Sequence, residues 1–252
     1  MKACIASYYM SNINKRTVEL QAKVVDKFNK SRLPHFSLCG QMPHGAFIDF
    51  MWYTQGLKVM NSPLEKEESI AKKAKGFGEN LGQFDVILFL DIDCIPVSDS
   101  AIDFYVQQAS EGKLIGNAQR SGHIQNSNHV FAAPSAVAVS KETFLKIGTP
   151  SAMETSRGDV AEEYTFAAEL TNVKVDFSLP VRYDREVFRY DWEQDKRPYW
   201  TLENGLPNFG LGTTYGNEEL GDLFWHNFQI RIPGQEEKFW SKCEELLNDT
   251  QE

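Results

Sequence analysis

The chain has 252 residues, of which 42% are hydrophobic and 24% are charged, and its formal net charge is −9. These proportions are ordinary for a globular protein, so they exclude disordered and fibrous chains. The longest apolar runs are only as long as a strand, which excludes a membrane-spanning helix, and the negative charge argues against a protein that coats nucleic acid by bulk electrostatics.

The predicted elements of the first half alternate between strand and helix. Short apolar runs indicate strands, and apolar residues that recur every three or four positions indicate helices. The run at 84–90 (FDVILFL) is almost continuously apolar, which is typical of a central strand that is buried on both faces. In chain order the predicted elements are a strand at 2–8, a helix at 12–29, a strand at 35–39, a helix through Phe47, Phe50 and Met51, a helix at 64–81, a strand at 84–90 and a helix at 99–110.

The second half is predicted to continue in the same way and then to become irregular. Its predicted elements are strands at 114–118, 130–139 and 173–179 and helices at 160–171 and 235–247. Residues 184–221 are rich in aromatic residues, Gly and Pro, which predicts irregular structure. Strands that alternate with helices imply an α/β fold with a mixed sheet. No repeat or Pro/Gly/Ser linker divides the chain, so residues 1–252 are predicted to form a single domain.

Two aspartates directly follow the predicted central strand. Asp91 and Asp93 come after the run at 84–90, and ligands of open α/β sheets bind beyond the carboxyl ends of the strands. Side chains at i and i+2 of an extended chain point to the same side, so both carboxylates can approach one hard cation. The alternative is an acidic junction that faces water ahead of Pro96. We favour the functional interpretation, because two neighbouring carboxylates repel each other unless a positive charge lies between them.

The sequence FDVILFLDIDCIPVS resembles the central strand and DxD motif of glycosyltransferases with the GT-A fold, which are metal-dependent users of nucleotide-sugars. Three further segments occur in the order that this family shows: a basic helix (IAKKAKGFGENL), a strand on the acceptor side (HVFAAPSAVAVSKETFLKIG) and an acidic pair that opens a helix (RGDVAEEY). The resemblance covers about residues 2–180, and a histidine extends it to 226. It implies a single GT-A-like domain with a mixed, mostly parallel central sheet flanked by helices and a loop-rich carboxyl-terminal third.

The resemblance also implies how a donor is held. The donor would be a nucleotide-diphosphate sugar, with a UDP-sugar as the first choice, and the first strand would open its site at Ala6, Ser7 and Tyr8. The two aspartates of the DxD motif would hold Mn²⁺ or Mg²⁺, and Asp91 would also belong to the donor site. Lys73 of the basic helix would meet the diphosphate, although a solvated helix face is the simpler explanation of the lysines there.

The acidic pair departs from the family pattern. Family members typically carry Glu-Asp, whereas this chain has Glu162 and Glu163. In inverting members the second acid is the usual base, so the resemblance implies this role for Glu163 or, failing that, for Glu162, with Asp159 as the third candidate. An alternative needs no catalysis, because Asp159 and Glu162 form the D-x-x-E pattern of a helix-capping box. The departure leaves open which acid is the base and whether the enzyme inverts or retains.

A late histidine is the third predicted metal ligand. His226 lies in LFWHNFQIR and resembles the carboxyl-terminal histidine with which some GT-A enzymes complete their metal site. An imidazole suits Mn²⁺ better than Mg²⁺, which prefers oxygen. The alternative is a histidine packed in the core among Phe224, Trp225 and Phe228. A second histidine, His44, is predicted to mark a helix start near the site.

Three other functions are alternatives to this one. Phosphatases of the haloacid dehalogenase type also have a strand that ends in Asp-x-Asp. Their nucleophile strand, however, lies near the amino terminus. Their second Asp is also usually followed by Thr or Val, whereas Asp93 is followed by Cys94. A nucleotide-sugar-binding or carbohydrate-binding protein without catalysis is the second alternative. A Rossmann dehydrogenase is poorly supported, because no G-x-G-x-x-G follows the first strand.

The sequence also suggests where the protein acts and on what. Its start becomes polar too soon for a signal peptide and its four cysteines have no zinc spacing, so we expect reduced thiols and a cytoplasmic protein. It resembles small family members of bacteria and tailed phages, whose acceptors are surface glycans or 5-hydroxymethylcytosine in DNA. We expect the latter, because the first third is net positive and residues 182–200 are aromatic and contain arginines. Residues 1–110 are expected to bind the donor, and residues 111–252 the acceptor.

Overall fold

The computed structural model describes residues 1–57, 83–122, 129–185, 211–227, 230–231 and 233–249. The helix predicted at 64–81 lies outside these residues, as does most of the segment 182–200. The elements in chain order are β1 (Ala3–Met10), α1 (Lys15–Phe28), β2 (His35–Gly40), α2 (His44–Thr54), β3 (Val86–Asp91), β4 (Cys94–Pro96), α3 (Ala101–Ser110), β5 (Leu114–Arg120), β6 (Val130–Ser140), α4 (Lys141–Lys146), α5 (Glu162–Leu170), β7 (Val175–Arg185), β8 (Leu211–Asn217), β9 (Gly221–His226) and α6 (Gln235–Asn248).

The described strands hydrogen-bond in the order β2-β1-β3-β6-β5-β7-β8-β9-β4. The central strand β3 pairs in parallel with β1 and antiparallel with β6, and its apolar residues are buried, as the sequence predicts. The prediction of an α/β fold with a mixed sheet is therefore confirmed. The sheet is less parallel than expected. Among the described strands, parallel pairing is confined to β1–β2, β1–β3 and β5–β7, because β6 reverses direction in the centre and β4, β8 and β9 add antiparallel pairs.

The core lies on both faces of β3, whose side chains alternate between them. On one face, Trp52 of α2 stacks on Phe144 of α4 with 4.5 Å between the ring centroids. On the other face, Tyr105 of α3 packs against Phe224 of β9 at 4.8 Å. All four rings are fully buried, and burying one large apolar side chain contributes about 1.5–3 kcal/mol. These contacts fix the helices against the end of β3.

The carboxyl-terminal part of the sheet differs from the sequence prediction. Irregular structure is predicted over 184–221, whereas Leu211–Asn217 form β8 and pair with β9. A side chain at Gly216 would overlap the carbonyl of Gly221, so this glycine permits a close approach of two strands and does not mark a loop. Strand β9 then pairs with the short strand β4, which sets Cys94 opposite His226. The end of the chain thereby returns to the end of β3.

The cysteines are unpaired thiols, and three of them are buried. Burial raises the pKa of the Cys4 and Cys243 thiols to about 12, and that of Cys94 well above its ordinary value. Such thiols stay protonated and act as small apolar side chains. Among the helices of the described residues, none is long and apolar enough to cross a membrane.

Candidate metal and donor site

The three predicted metal ligands meet at the end of the central strand. Asp91 is the last residue of β3, and Asp93 lies just before β4. The Nε2 atom of His226 lies 3.3 Å from Asp93 Oδ1 and 3.9 Å from Asp91 Oδ2. One ligand atom from each of the three side chains lies within 4.8 Å of the other two. The pairing of β4 with β9 brings the histidine to the aspartates, because Cys94 is opposite His226 in the register.

The charges of this cluster fit a bound cation. Burial raises the pKa of Asp91; His44 opposes this shift and Asp93 adds to it. Burial would also raise the pKa of Asp93, but His226 and the backbone N–H of Ile230 hold it below its ordinary value. Burial would lower the pKa of His226, yet Asp93 and Asp91 hold it above. A divalent cation would favour the charged form of Asp91 against the effect of burial and would offset its repulsion by Asp93. Two carboxylates with one imidazole are a donor set that suits Mn²⁺.

The turn that carries the aspartates is held from two sides. The side-chain amide of Gln21, a fully buried residue of α1, donates to the carbonyls of Asp91 at 2.6 Å and of Cys94 at 3.1 Å. On the other side, the N–H of Asn227 donates to the carbonyl of Asp93 at 2.9 Å, and the N–H of Ile230 donates to Asp93 Oδ2 at 3.3 Å. Gln21 is not predicted from the sequence. Its only signal is a polar residue on the apolar face of a predicted helix.

A cavity of about 730 Å³ opens over the cluster, within the size range of small-molecule sites. It is lined by both aspartates, His226, Asp159 and, on the segment after β9, Arg231. Among the described residues that line the cavity, Arg231 is the one Lys or Arg. Arg231 is not predicted from the sequence either, because the local pattern after His226 does not indicate that this segment reaches the cavity.

The residues predicted to open the donor site differ in their access to the cavity. Tyr8 lines it. Ala6 and Ser7 are fully buried in β1, and Ser7 Oγ lies 3.0 Å from His35 Nε2. Lys73 lies outside the described residues. The donor-binding roles of all four therefore stay predictions.

Asp159 and Glu162 share one hydrogen-bond network. Glu162 is fully buried, and its carboxylate accepts from Ser121 Oγ and from the N–H of Asp159, both at 2.7 Å, and lies 2.6 Å from His129 Nδ1. The bond from the Asp159 N–H is one half of the predicted capping box, but the Glu162 N–H donates to the Asp159 carbonyl at 3.1 Å and Ala161 is the residue before the helix, so the box itself does not form. The Asp159 carboxylate accepts from the N–H of Gly122 at 2.5 Å. Asp159 lines the cavity, and Glu162 does not.

Glu163 faces a different set of partners. It accepts from Arg157 Nε at 2.7 Å and from Thr155 Oγ1 at 3.0 Å, and the Arg157 guanidinium lies over the ring of Phe166. Hydrogen bonding to Arg157 lowers the pKa of Glu163 despite its partial burial, and Thr155 adds to this shift. Glu163 is not one of the residues that line the cavity. The structure thus separates the three candidate acids, and Asp159 is the one at the cavity.

Comparisons with known proteins find similarity only among solved structures. No protein-family model matches the chain, and no curated protein matches it. Several solved structures are similar. One is a mutant of Drosophila β1,4-galactosyltransferase 7 in complex with manganese, UDP-Gal and xylobiose (12% identity, TM-score 0.42, 81% of this chain and 77% of that one). Others are a Desulfovibrio desulfuricans protein described as a nucleotide-diphospho-sugar transferase (9%, 0.39, 71% and 80%) and the Streptococcus pneumoniae glycosyltransferase GlyE (13%, 0.40, 98% and 63%).

Proposed function

We propose that the protein is a metal-dependent glycosyltransferase that moves a sugar from a nucleotide-diphosphate sugar, with a UDP-sugar as the first choice, to a hydroxyl group. The observation that carries this proposal is the convergence of Asp91, Asp93 and His226 in a cavity that Asp159 also lines. Glycosyl transfer to a hydroxyl needs positive charge beside the leaving diphosphate and an acid–base group beside the acceptor. A cation held by the cluster would supply the positive charge, and Asp159 would supply the acid–base group.

The donor side of the site would work through charge. Asp91, Asp93 and His226 would hold Mn²⁺ or Mg²⁺, and the bound ion would offset the charge of the leaving diphosphate. Arg231 would bind the same diphosphate, since a guanidinium donates two parallel hydrogen bonds to phosphate oxygens. Arg231 follows Ile230, whose N–H donates to Asp93, and it lines the same cavity as the cluster, so both positive charges would act on one group.

On the acceptor side, we propose that Asp159 takes the proton of the attacking hydroxyl. Glu163 is a weaker candidate, because its carboxylate is engaged by Arg157 and its lowered pKa reduces its basicity. Glu162 is fully buried and would position Asp159, since its carboxylate accepts a hydrogen bond from the N–H of Asp159 at 2.7 Å. The hydrogen bond from Gly122 would orient the Asp159 carboxylate.

A donor screen tests the reaction class. Release of UDP from UDP-sugars is measured with Mn²⁺, with Mg²⁺ and with chelator, and we expect activity only with metal. Asp93→Asn should abolish it. Asp99→Asn is the matched control, because Asp99 is a half-exposed partner of Lys30 away from the cluster and its loss should change nothing. Full activity in chelator would contradict the metal site, and hydrolysis of a generic phosphate ester would indicate a phosphatase.

For the acceptor, we propose 5-hydroxymethylcytosine in DNA as the first compound to test and a bacterial surface glycan as the second, with the protein acting in the cytoplasm. The net positive first third of the chain and the arginines of 182–200 support a DNA acceptor, since phosphate contacts need Lys and Arg. The unpaired cysteines support a reducing compartment. Transfer to hydroxymethylated DNA but not to unmodified DNA is the expected result, and transfer that ignores the hydroxymethyl group would contradict the proposal.

A further inference from the structure

One contact of the Asp91 carboxylate comes from outside the proposed ligand set. His44 is the first residue of α2, and its Nε2 atom lies 3.2 Å from Asp91 Oδ1. The other oxygen, Oδ2, faces His226 at 3.9 Å. The carboxylate thus lies between two imidazoles, with one oxygen toward each. The ligand atoms that cluster within 4.8 Å of one another come from Asp91, Asp93 and His226, so His44 lies beside this cluster.

The strand next to Asp91 fixes the position of His44. The rings of His44 and Tyr8 are nearly parallel, with 14° between their planes, and the Tyr8 hydroxyl donates at 2.5 Å to the carbonyl of Met42, two residues before His44. Tyr8 is also the register partner of Asp91 in the β1–β3 pair. Tyr8 therefore lies next to Asp91 in the sheet and also holds the segment that carries His44.

Helix α2 is also anchored on its other side. Asp49 is fully buried and accepts from Ser151 Oγ at 2.6 Å and from the N–H of Ala152 at 2.8 Å. A side chain at Gly45 would overlap the backbone of Ala152, so α2 lies directly against this segment. Because the segment before α2 is held at Tyr8 and α2 itself lies against Ala152, the backbone that carries His44 has a fixed place beside the Asp91 carboxylate.

We propose that His44 is a positioning residue that orients the Asp91 carboxylate toward the metal without binding the metal itself. The inference rests on the metal site of the proposed function. The Asp91 side chain is 24% exposed and is repelled by Asp93, so both effects favour its rotation toward water. The imidazole beside Oδ1 opposes that rotation and leaves Oδ2 facing the cluster before the ion arrives. Removing a group that orients a metal ligand typically weakens metal binding by 10- to 100-fold.

The test measures binding of Mn²⁺ alone by electron paramagnetic resonance, with no nucleotide or acceptor present. His44→Phe keeps a ring against Tyr8 and removes the nitrogen, whereas His44→Gln keeps an N–H donor near the position of Nε2. We expect His44→Phe to raise the Kd for Mn²⁺ by about 10-fold or more and His44→Gln by less than about threefold. Gln41→Ala is the control, because Gln41 lines the same cavity and its amide contacts Ser11; its Kd should equal that of the wild type.

Each other outcome contradicts a specific step. An unchanged Kd in His44→Phe, with or without a lower melting temperature, would overturn the positioning role. Equal weakening in the Phe and Gln variants would show that the donor nitrogen is not what matters. A loss as large as that of His226→Ala would make His44 a ligand. A wild-type protein that binds no Mn²⁺ would instead overturn the metal site and, with it, the proposed function.

Discussion

Acidification is expected to destabilise the protein through His35 of β2. Burial lowers the pKa of this histidine from its ordinary value of 6.5 to about 4. The unfolded chain takes up a proton near pH 6.5 and the folded protein only near pH 4, so stability is lost as the pH falls through this window. Relative to pH 8, linkage gives a loss of about 2 kcal/mol at pH 5 and about 3 kcal/mol at pH 4 in the free energy of unfolding.

Urea denaturation at pH 8, 6, 5 and 4 measures this loss. His35→Gln is the comparison, because the amide keeps a polar group near Ser7 Oγ, which lies 3.0 Å from His35 Nε2, and does not titrate. Carboxylates titrate in both proteins, so only the difference between them reports on His35. Between pH 8 and pH 4, the free energy of unfolding of the variant should rise by about 3 kcal/mol relative to that of the wild type. A difference that stays constant within about 0.5 kcal/mol would refute the neutral state of the partly buried His35.

Three further predictions concern the site. Asp159→Asn should lower kcat by two or more orders of magnitude in steady-state assays while the Kd for Mn²⁺ stays unchanged. A near-normal kcat would show that another residue is the base. Glu163→Gln, its control on the same segment, should change kcat far less, because Glu163 contacts Arg157 and does not line the cavity. Gln21→Met should lower the free energy of unfolding in chelator by about 1–3 kcal/mol, since it leaves the buried carbonyl of Cys94 and the partly buried carbonyl of Asp91 without their donor. Unchanged denaturation would exclude that role.

The parts of the site that were predictable from the sequence are local patterns. A continuous apolar run identifies β3, and Asp91 and Asp93 follow it at the spacing that lets both carboxylates converge. The resemblance to a known family added His226, which no periodicity indicates. The same local reasoning placed a helix start near 160, and α5 begins at Glu162.

The remaining parts depend on contacts between distant segments. Gln21 binds the carbonyl of Asp91, 70 positions away, and a polar residue in an amphipathic helix does not reveal its partner. The position of Arg231 depends on the pairing of β9 with β4, a three-residue strand too short to show alternation. The choice among the acids depends on Arg157, which engages Glu163, and on the buried partners of Glu162. Spacing alone predicts a capped helix, but it does not predict which carboxylate faces the cavity.

The pairing of β4 with β9 joins distant parts of the chain, so we expect the cluster of Asp91, Asp93 and His226 to be one of the last parts of the described structure to assemble. The contact between Asp93 and Ile230 joins residues 137 positions apart, and contacts of such long range form late because they close a large loop. During synthesis the strands around β3 emerge from the ribosome well before His226, so the nascent chain carries the two aspartates without their histidine. A chain that stops before residue 221 lacks this ligand even if its earlier strands pair. Mn²⁺ would therefore stabilise the finished protein and leave the early phases of refolding unchanged.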